Sequence, residues 1–291
     1  MSDNEFVSCL IEDQASDHCD QLEMYYEEAE EVFNNLKNLL PKSEDAESYG
    51  QVNREKAPAL SPEEPLGYLA VYPGQNAGIS MVIHSNPKTM KNSVKAVFPF
   101  IGEGGKYPCA IQKVNLFPNR LEAQISAFID EDQNLLLNFY DTHYLDNRTF
   151  YNSKDTFQFI IRGLAYCIEV NKPADPDELK KLAGLVDKDS NANLEIDANN
   201  MIAVYPRDDM GADHYEIQSP VQEIKEYGNI NGEKVWQIGI LLGTTPDGKD
   251  IPLDLYITER SLGGQPLPRV GENISAVVWL QGHMWDIGEE Q

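Results

Sequence analysis

The sequence predicts a mainly β protein with one helix near the N-terminus and two tandem copies of a small antiparallel module. Three observations predict this class. A series of matching residues recurs in the same order in the two halves of the chain. The apolar runs are short, rich in β-branched and aromatic residues, and bounded by turn residues. One segment before residue 41 carries apolar residues at helical spacing.

The repeat begins with the sequence AVYP, which occupies residues 70–73 and again residues 203–206. Four matching residues can arise by chance, but the likeness continues in order, as expected of an internal duplication. The segment LNFYDT at 137–142 parallels LDLYIT at 253–258. The other matched pairs are Gly78 with Gly211, Pro87 with Pro220, Gln124 with Gln237, Ile125 with Ile238, Gly163 with Gly282, and Tyr166 with Trp285.

Both copies have the composition of β-strands. Residues 157–168 (FQFIIRGLAYCI) and 274–285 (ISAVVWLQGHMW) are rich in the residue types that strands favour. Turn sequences such as NING at 229–232 and TPDG at 245–248 separate the apolar runs. About five strands in each copy fit a small closed barrel. An OB-like barrel matches the strand count and spacing best, and a small β-sandwich is the alternative.

These patterns divide the chain into five regions, as its length allows for two domains with tails. The regions are an acidic segment with an amphipathic helix at 1–40, a polar linker at 41–65, barrel copy 1 at 66–170, an acidic helical linker at 171–198, and barrel copy 2 at 199–291.

The N-terminal helix is predicted to run from Leu22 to Leu40. Apolar residues recur there at spacings of three and four and form one face, and Pro41 prevents continuation. We expect this helix to dock on its own protein. A short coiled-coil arm that dimerises the protein is the alternative.

The net charge of −25 is unevenly distributed. Residues 1–65 hold 17 acidic and 4 basic side chains, and residues 199–291 hold 15 and 6, whereas residues 66–170 hold nine of each. A negative field repels nucleic-acid backbones and either attracts basic partners or simply keeps the protein soluble, which is its more common role. The first hypothesis is therefore a non-enzymatic protein that binds other macromolecules, with a basic protein as its partner. An acidic inhibitor that imitates nucleic acid is the sharper form of this hypothesis.

The sequence also predicts a cytoplasmic protein without membrane association. No apolar run approaches the roughly 20 residues that span a bilayer. The acidic start lacks the basic region and apolar core of a secretory signal. The four cysteines form no C-x-x-C pair and are too sparse for a disulfide framework.

Copy 1 suggests a second function, the binding of single-stranded nucleic acid. Such a surface combines basic residues with aromatic rings on which bases stack, and copy 1 contains both. In the competing interpretation, the rings fill the core and the lysines are solvated. The candidate residues are Lys88, Lys91, Lys95, Lys106, Lys113, Tyr140 and Tyr144.

One segment resembles the calcium loop of an EF-hand, because oxygen-bearing side chains alternate at Asp187, Asp189, Asn191 and Asn193. Alanine stands at 192, where that loop needs glycine, and at 198, where a bidentate glutamate closes the site. A polar interdomain loop is therefore the favoured interpretation, with calcium as the alternative. No other cofactor is expected.

No residue is predicted to be catalytic. Asp141 and His143 lie two apart, so they share a face if this segment is a strand. No serine or cysteine nucleophile stands in a recognisable elbow. A hydrogen-bonded surface pair is the favoured interpretation, and an enzyme with an unrecognised site is the third hypothesis.

Overall fold

The computed structural model describes residues 6–9, 18–45, 58–74, 76–130, 134–151, 156–171 and 200–286. The helices are α1 (Cys19–Leu22), α2 (Ala29–Leu39) and α3 (Tyr144–Asn147), and a short 3-10 helix follows α2 at Leu40–Lys42. The strands are β1 (Val7–Cys9), β2 (Glu44–Asp45), β3 (Gly67–Pro73), β4 (Ala77–Asn86), β5 (Lys91–Ile101), β6 (Gly105–Leu116), β7 (Ala123–Phe128), β8 (Leu136–Asp141), β9 (Thr156–Val170), β10 (Ala203–Pro206), β11 (His214–Pro220), β12 (Glu223–Ile230), β13 (Glu233–Thr244), β14 (Asp250–Thr258) and β15 (Asn273–Asp286).

Five strands close a barrel in the order β6, β7, β8, β15 and β9, with β9 returning to β6. All neighbours in this ring are antiparallel except β8 and β15, which are parallel. The sheet continues from β9 through β14 and β13 to β12, and from β15 through β11 to β10. The predicted fold class is therefore confirmed in its coarser form, a mainly β protein with a small closed barrel.

The long strands β9 and β15 are buried on both faces. Ile161 and Leu280 belong to the larger apolar cluster, whereas Leu164 and Trp279 belong to a second cluster on the opposite side. A strand that is covered on both faces has a continuous apolar sequence instead of strict alternation. This explains the unbroken apolar runs that identified both strands in the sequence.

Strands β3, β4 and β5 form a separate antiparallel sheet, and β2 adds to its edge. On one face of this sheet, Val32 of α2 packs with Met81 and Val97. On the other face, Phe98 joins the cluster that contains Trp279 of the large sheet. The prediction that the N-terminal helix docks on its own protein is therefore confirmed.

The prediction of one continuous helix is wrong in its first half, because turns separate α1 from α2. The hydroxyl of Thr258 donates to the carbonyl oxygen of Met24 at 3.1 Å, and the amide of Asn231 donates to that of Tyr25 at 3.3 Å. In a continuous helix these carbonyls would accept from the backbone four residues later. We call residues 18–26 the strap, since they are bonded to distant parts of the chain.

The repeated residues lie in different surroundings in the two halves. The first AVYP is in β3 of the small sheet, whereas the second is in β10 at the edge of the large sheet. Gly163 on β9 and Gly282 on β15 lie on strands that pair with each other. Strands of both halves thus share one sheet, which independent tandem barrels do not do. The duplication itself stays a prediction.

Within the described ranges, no helix has the length and apolar character needed to cross a membrane.

We expect Gly282→Ala to destabilise the protein by about 1–3 kcal/mol, through overpacking of the barrel core. A Cβ at Gly282 would lie 2.6 Å from Cδ2 of the buried Phe139. The control is Gly239→Ala on β13, where the added Cβ would meet no atom closer than 3.5 Å. Chemical denaturation measures both variants. Equal effects of the two substitutions would contradict the close packing of β15 on β8.

Candidate functional site

The strap, the two residues after it and the first turn of α2 carry a series of exposed acidic side chains. Apolar residues such as Leu22, Tyr25 and Val32 face inward and are buried. The carboxylates between them are all exposed, and they belong to Asp20, Glu23, Glu27, Glu28, Glu30 and Glu31. We call these six residues the acidic face. None of them forms an ion pair with another described residue.

The acids of the second half differ, because many are neutralised locally. Exposed or partly exposed lysines and arginines lie beside carboxylates on the same hairpins. The shortest N–O distances are 2.7 Å for Arg207–Asp209, 2.8 Å for Lys225–Glu223, 2.7 Å for Lys234–Glu226, 3.0 Å for Lys249–Asp247 and 2.9 Å for Arg260–Glu233. Such exposed pairs contribute little to stability, but they reduce the field that an approaching partner meets.

The five candidate lysines do not form one surface. Lys88, Lys91 and Lys95 are exposed on the hairpin that joins β4 to β5. Lys106 begins β6, beyond the opposite end of β5, and its ammonium lies 3.8 Å from the ring centre of Trp285. Lys113 is half-buried in β6. The structure therefore brings three of the five together.

The two candidate stacking rings lie inside the protein. Tyr140 is 1% exposed, and its hydroxyl donates to Glu122 at 2.7 Å. Tyr144 is buried in α3 and stacks on Tyr151, with ring centres 6.0 Å apart. Neither ring presents a free face to a nucleic-acid base in this conformation. The predicted nucleic-acid surface would thus rest on its lysines.

The calcium hypothesis concerns Asp187, Asp189, Asn191 and Asn193, which lie outside the described residues. Among the residues that the structure does describe, no three or more histidine, cysteine, aspartate or glutamate side chains are grouped to hold a metal ion.

Asp141 and His143 are brought together, but not as a catalytic dyad. One oxygen of Asp141 accepts from the backbone N–H of His143 at 3.0 Å, and the other accepts from the hydroxyl of Tyr151. The imidazole of His143 lies beside the Thr142 hydroxyl and the His283 ring instead. Both members of the pair are buried. The predicted surface pair is therefore wrong in its location, and the hydrogen bond that joins the two residues comes from the backbone N–H of His143.

Next to this pair, the guanidinium of Arg162 is completely buried. It lies 2.7 Å from His283 Nδ1 and donates to the side-chain oxygens of Thr142 and Gln281. Burial and the nearby Arg162 charge hold the pKa of His283 well below its usual range. Burial raises the pKa of Asp141 to about 7, although the hydrogen bonds from Tyr151 and His143 oppose this shift. This cluster lies where β8, β9 and β15 meet.

Sequence reasoning missed the pairing of His18 with Glu122, which are 104 residues apart. It also missed the contacts that Asp213 makes with His214 and Trp279. His214 Nδ1 lies 2.9 Å from Asp213, and the indole N–H of Trp279 donates to the same carboxylate at 2.8 Å. No local pattern identifies the contacts of His18 with Glu122 or of Trp279 with Asp213, because these partners are 104 and 66 residues apart.

We expect Asp141→Asn to gain stability relative to the wild type as the pH rises from about 4 to about 7. The pKa of Asp141 in the folded protein, about 7, is above its ordinary value of 3.8. The folded state therefore binds this proton more tightly, and its stability falls as the proton is lost. The difference in the free energy of unfolding between the two proteins should change by at most about 4 kcal/mol across this range.

Urea denaturation at several pH values measures this difference. Asp209→Asn is the control, because Arg207 and its hydrogen bonds lower the pKa of Asp209 to about 2. The relative stability of that variant should change only slightly, and with the opposite sign. The burial of an ionisable carboxyl would be contradicted if the wild type and Asp141→Asn differed in free energy of unfolding by the same amount at every pH between about 4 and 7.

Comparisons with known proteins add no relative: no family model matches the chain, and neither a curated protein nor a solved structure is similar to it. The function is therefore inferred from the geometry and charge of this chain alone.

Proposed function

We propose that this protein is a non-catalytic binding protein whose partner is a basic protein, and that the acidic face is the contact surface. The observation that carries the proposal is the set of six exposed carboxylates from Asp20 to Glu31, which no described cation neutralises. An acidic inhibitor that occupies a nucleic-acid-binding groove is its sharper form.

Rigidity of the acidic face supports this proposal. The carbonyls of Met24 and Tyr25 are bonded to Thr258 and Asn231, and the side chain of Tyr25 is 2% exposed. Carboxylates on a fixed backbone lose less conformational freedom on binding than those on a flexible tail. Six like charges within twelve residues also attract a basic partner from a distance of roughly one Debye length, about 8 Å at physiological salt.

We also propose that the two halves are copies of one OB-like module that share their long strands. Tyr140 and Tyr256 occupy matched positions in the repeat, and each lies on a strand that pairs in parallel with the other half. Tyr140 is opposite Gln281 of β15, and Tyr256 is opposite Leu164 of β9. The two copies differ in charge, which supports divided roles for their surfaces.

A cytoplasmic location and a dimer also remain proposals. If the protein dimerises through α2, it would use the exposed side of that helix, where Phe33 is 37% exposed, because Ala29 and Val32 pack on the small sheet.

Neutralising the acidic face is expected to weaken binding of the basic partner at least tenfold at low salt. The variant is Glu23→Gln, Glu27→Gln, Glu28→Gln and Glu31→Gln in the full chain. Partners captured from the native host by the wild type are identified, and their affinity for each protein is measured. Removing four charges takes away part of the Coulombic attraction, about 1 kcal/mol for a charge pair at 4 Å in water.

The matched control removes four carboxylates that have basic neighbours, with Asp209→Asn, Glu223→Gln, Glu226→Gln and Asp247→Asn. It changes the net charge equally and should change the affinity much less. The proposal fails if both variants bind alike, or if the affinity of the wild type is unchanged between about 50 and 500 mM salt.

The cluster of Lys88, Lys91 and Lys95 favours a second candidate, the binding of single-stranded nucleic acid by copy 1. Residues 84–102 contain no acidic side chain. If this candidate is correct, the full chain binds a fluorescent oligonucleotide, and changing these three lysines to glutamine reduces the binding and the slope of its salt dependence. Substituting Lys225, Lys234 and Lys249, which lie beside carboxylates, is the control. Absence of oligonucleotide binding by the wild type at low salt excludes this candidate.

A further inference from the structure

His18, the first residue of the strap, is 1% exposed and is surrounded by side chains of both sheets. Its ring centre lies 5.0 to 5.8 Å from the centres of four aromatic rings, and its Nε2 lies 2.8 Å from a carboxylate oxygen. The surrounding side chains are Phe98, Phe117, Tyr140, Trp279 and Glu122, each at most 3% exposed. We call this set the aromatic cage.

The carboxylate of Glu122 is held by hydrogen-bond partners other than His18. Its oxygens accept from the Tyr140 hydroxyl at 2.7 Å and from the Asn119 amide. Its backbone carbonyl accepts from the Phe117 N–H at 3.0 Å, which closes the turn between β6 and β7. A buried carboxylate requires hydrogen bonds or a cation, because desolvation of an isolated charge is expensive. The cage thus holds a hydrogen-bonded carboxyl group within an aromatic wall.

The strap enters the cage in an unfavourable backbone conformation. His18 has a φ of 61°, in the left-handed region that residues with a Cβ seldom adopt. Such a conformation persists only when surrounding contacts impose it, and it often marks a functional position. The contacts of Gln21 with His214 and of Met24 with Thr258 hold the segment that follows. The imidazole is therefore placed in the cage by the strap, at the expense of backbone strain.

Aromatic rings around a carboxylate form the arrangement that binds organic cations. The face of an aromatic ring attracts a positive charge within about 6 Å, and the attraction grows when water is excluded. A cation at the position of the His18 ring centre would lie within this distance of all four aromatic ring centres.

We propose that the aromatic cage is a binding site for a cationic side chain, and that His18 occupies it as an intramolecular ligand. A cationic side chain of a partner protein competes with His18 for Glu122 and for the four rings. Its entry displaces the strap, and this displacement relieves the strain at His18. The strap thus acts as a plug whose removal opens the site.

The test is rescue of an empty cage by small cations. His18→Ala removes the plug, and imidazolium chloride at about pH 6 is the probe. At a concentration about fivefold above its Kd, imidazolium should raise the Tm of this variant by about 2–4 °C in a saturable manner. Wild-type protein should need at least ten times more imidazolium for the same shift, because its own His18 competes.

Three controls separate a cation site from a simple cavity. The double variant His18→Ala, Glu122→Gln should lose at least tenfold in imidazolium affinity. Leu22→Ala makes a cavity in the strap without a cage, and imidazolium should not stabilise it. Pyrrole, a neutral ring of the same shape, should stabilise His18→Ala much less than imidazolium does. If His18→Ala does not fold alone, its refolding yield with and without each probe replaces the Tm.

Equal effects of pyrrole and imidazolium, an unchanged affinity in the double variant, or the absence of any saturable effect would each overturn the proposal. An equal response of the wild type would place the binding elsewhere and would overturn it as well.

Discussion

The antiparallel pairing of β9 with β15 is the contact on which the rest of the structure depends. It joins residues 158–170 to residues 274–286, which are more than 100 positions apart. Among the described strands, only β15 pairs with both β8 and β9, so its pairing closes the barrel. Contacts of such large sequence separation form slowly, since the entropy of closing the chain is lost before the contact stabilises it. The fold therefore depends on its last described strand.

This pairing also determines where polar groups are buried. Arg162 of β9 and Gln281 of β15 lie opposite each other, and His283 is two residues further along. A guanidinium that is 0% exposed is tolerated only with hydrogen-bond acceptors around it, and Thr142, which follows β8, and Gln281 of β15 supply two of them. Trp279, on the same strand, forms one wall of the aromatic cage. The polar cluster and the cage are thus two consequences of one strand pair.

Much of the strand pattern could be predicted, but the arrangement of the strands could not. The runs at 157–168 and 274–285 are strands, because branched and aromatic residues indicate β structure locally. The break between α1 and α2 depends on hydrogen bonds from Thr258 and Asn231, more than 200 residues away. His18 gave no local signal either, since Glu122 and the four rings come from separate elements. Local sequence patterns predict the secondary-structure elements, whereas contacts between residues that are distant in the chain determine how those elements are arranged.

The acidic face and the plug of the cage belong to one segment, which has a consequence for binding. Asp20 and Glu23 lie two and five residues after His18, in the strap that Thr258 and Asn231 hold through the carbonyls of Met24 and Tyr25. If a cation displaces His18, these carboxylates change position, and a partner bound to them gains or loses contacts. Thermodynamic linkage then requires the converse, so that a partner on the acidic face changes the affinity of the cage by the same factor. A basic protein with one side chain of the right reach would use both sites, and the second contact would be intramolecular.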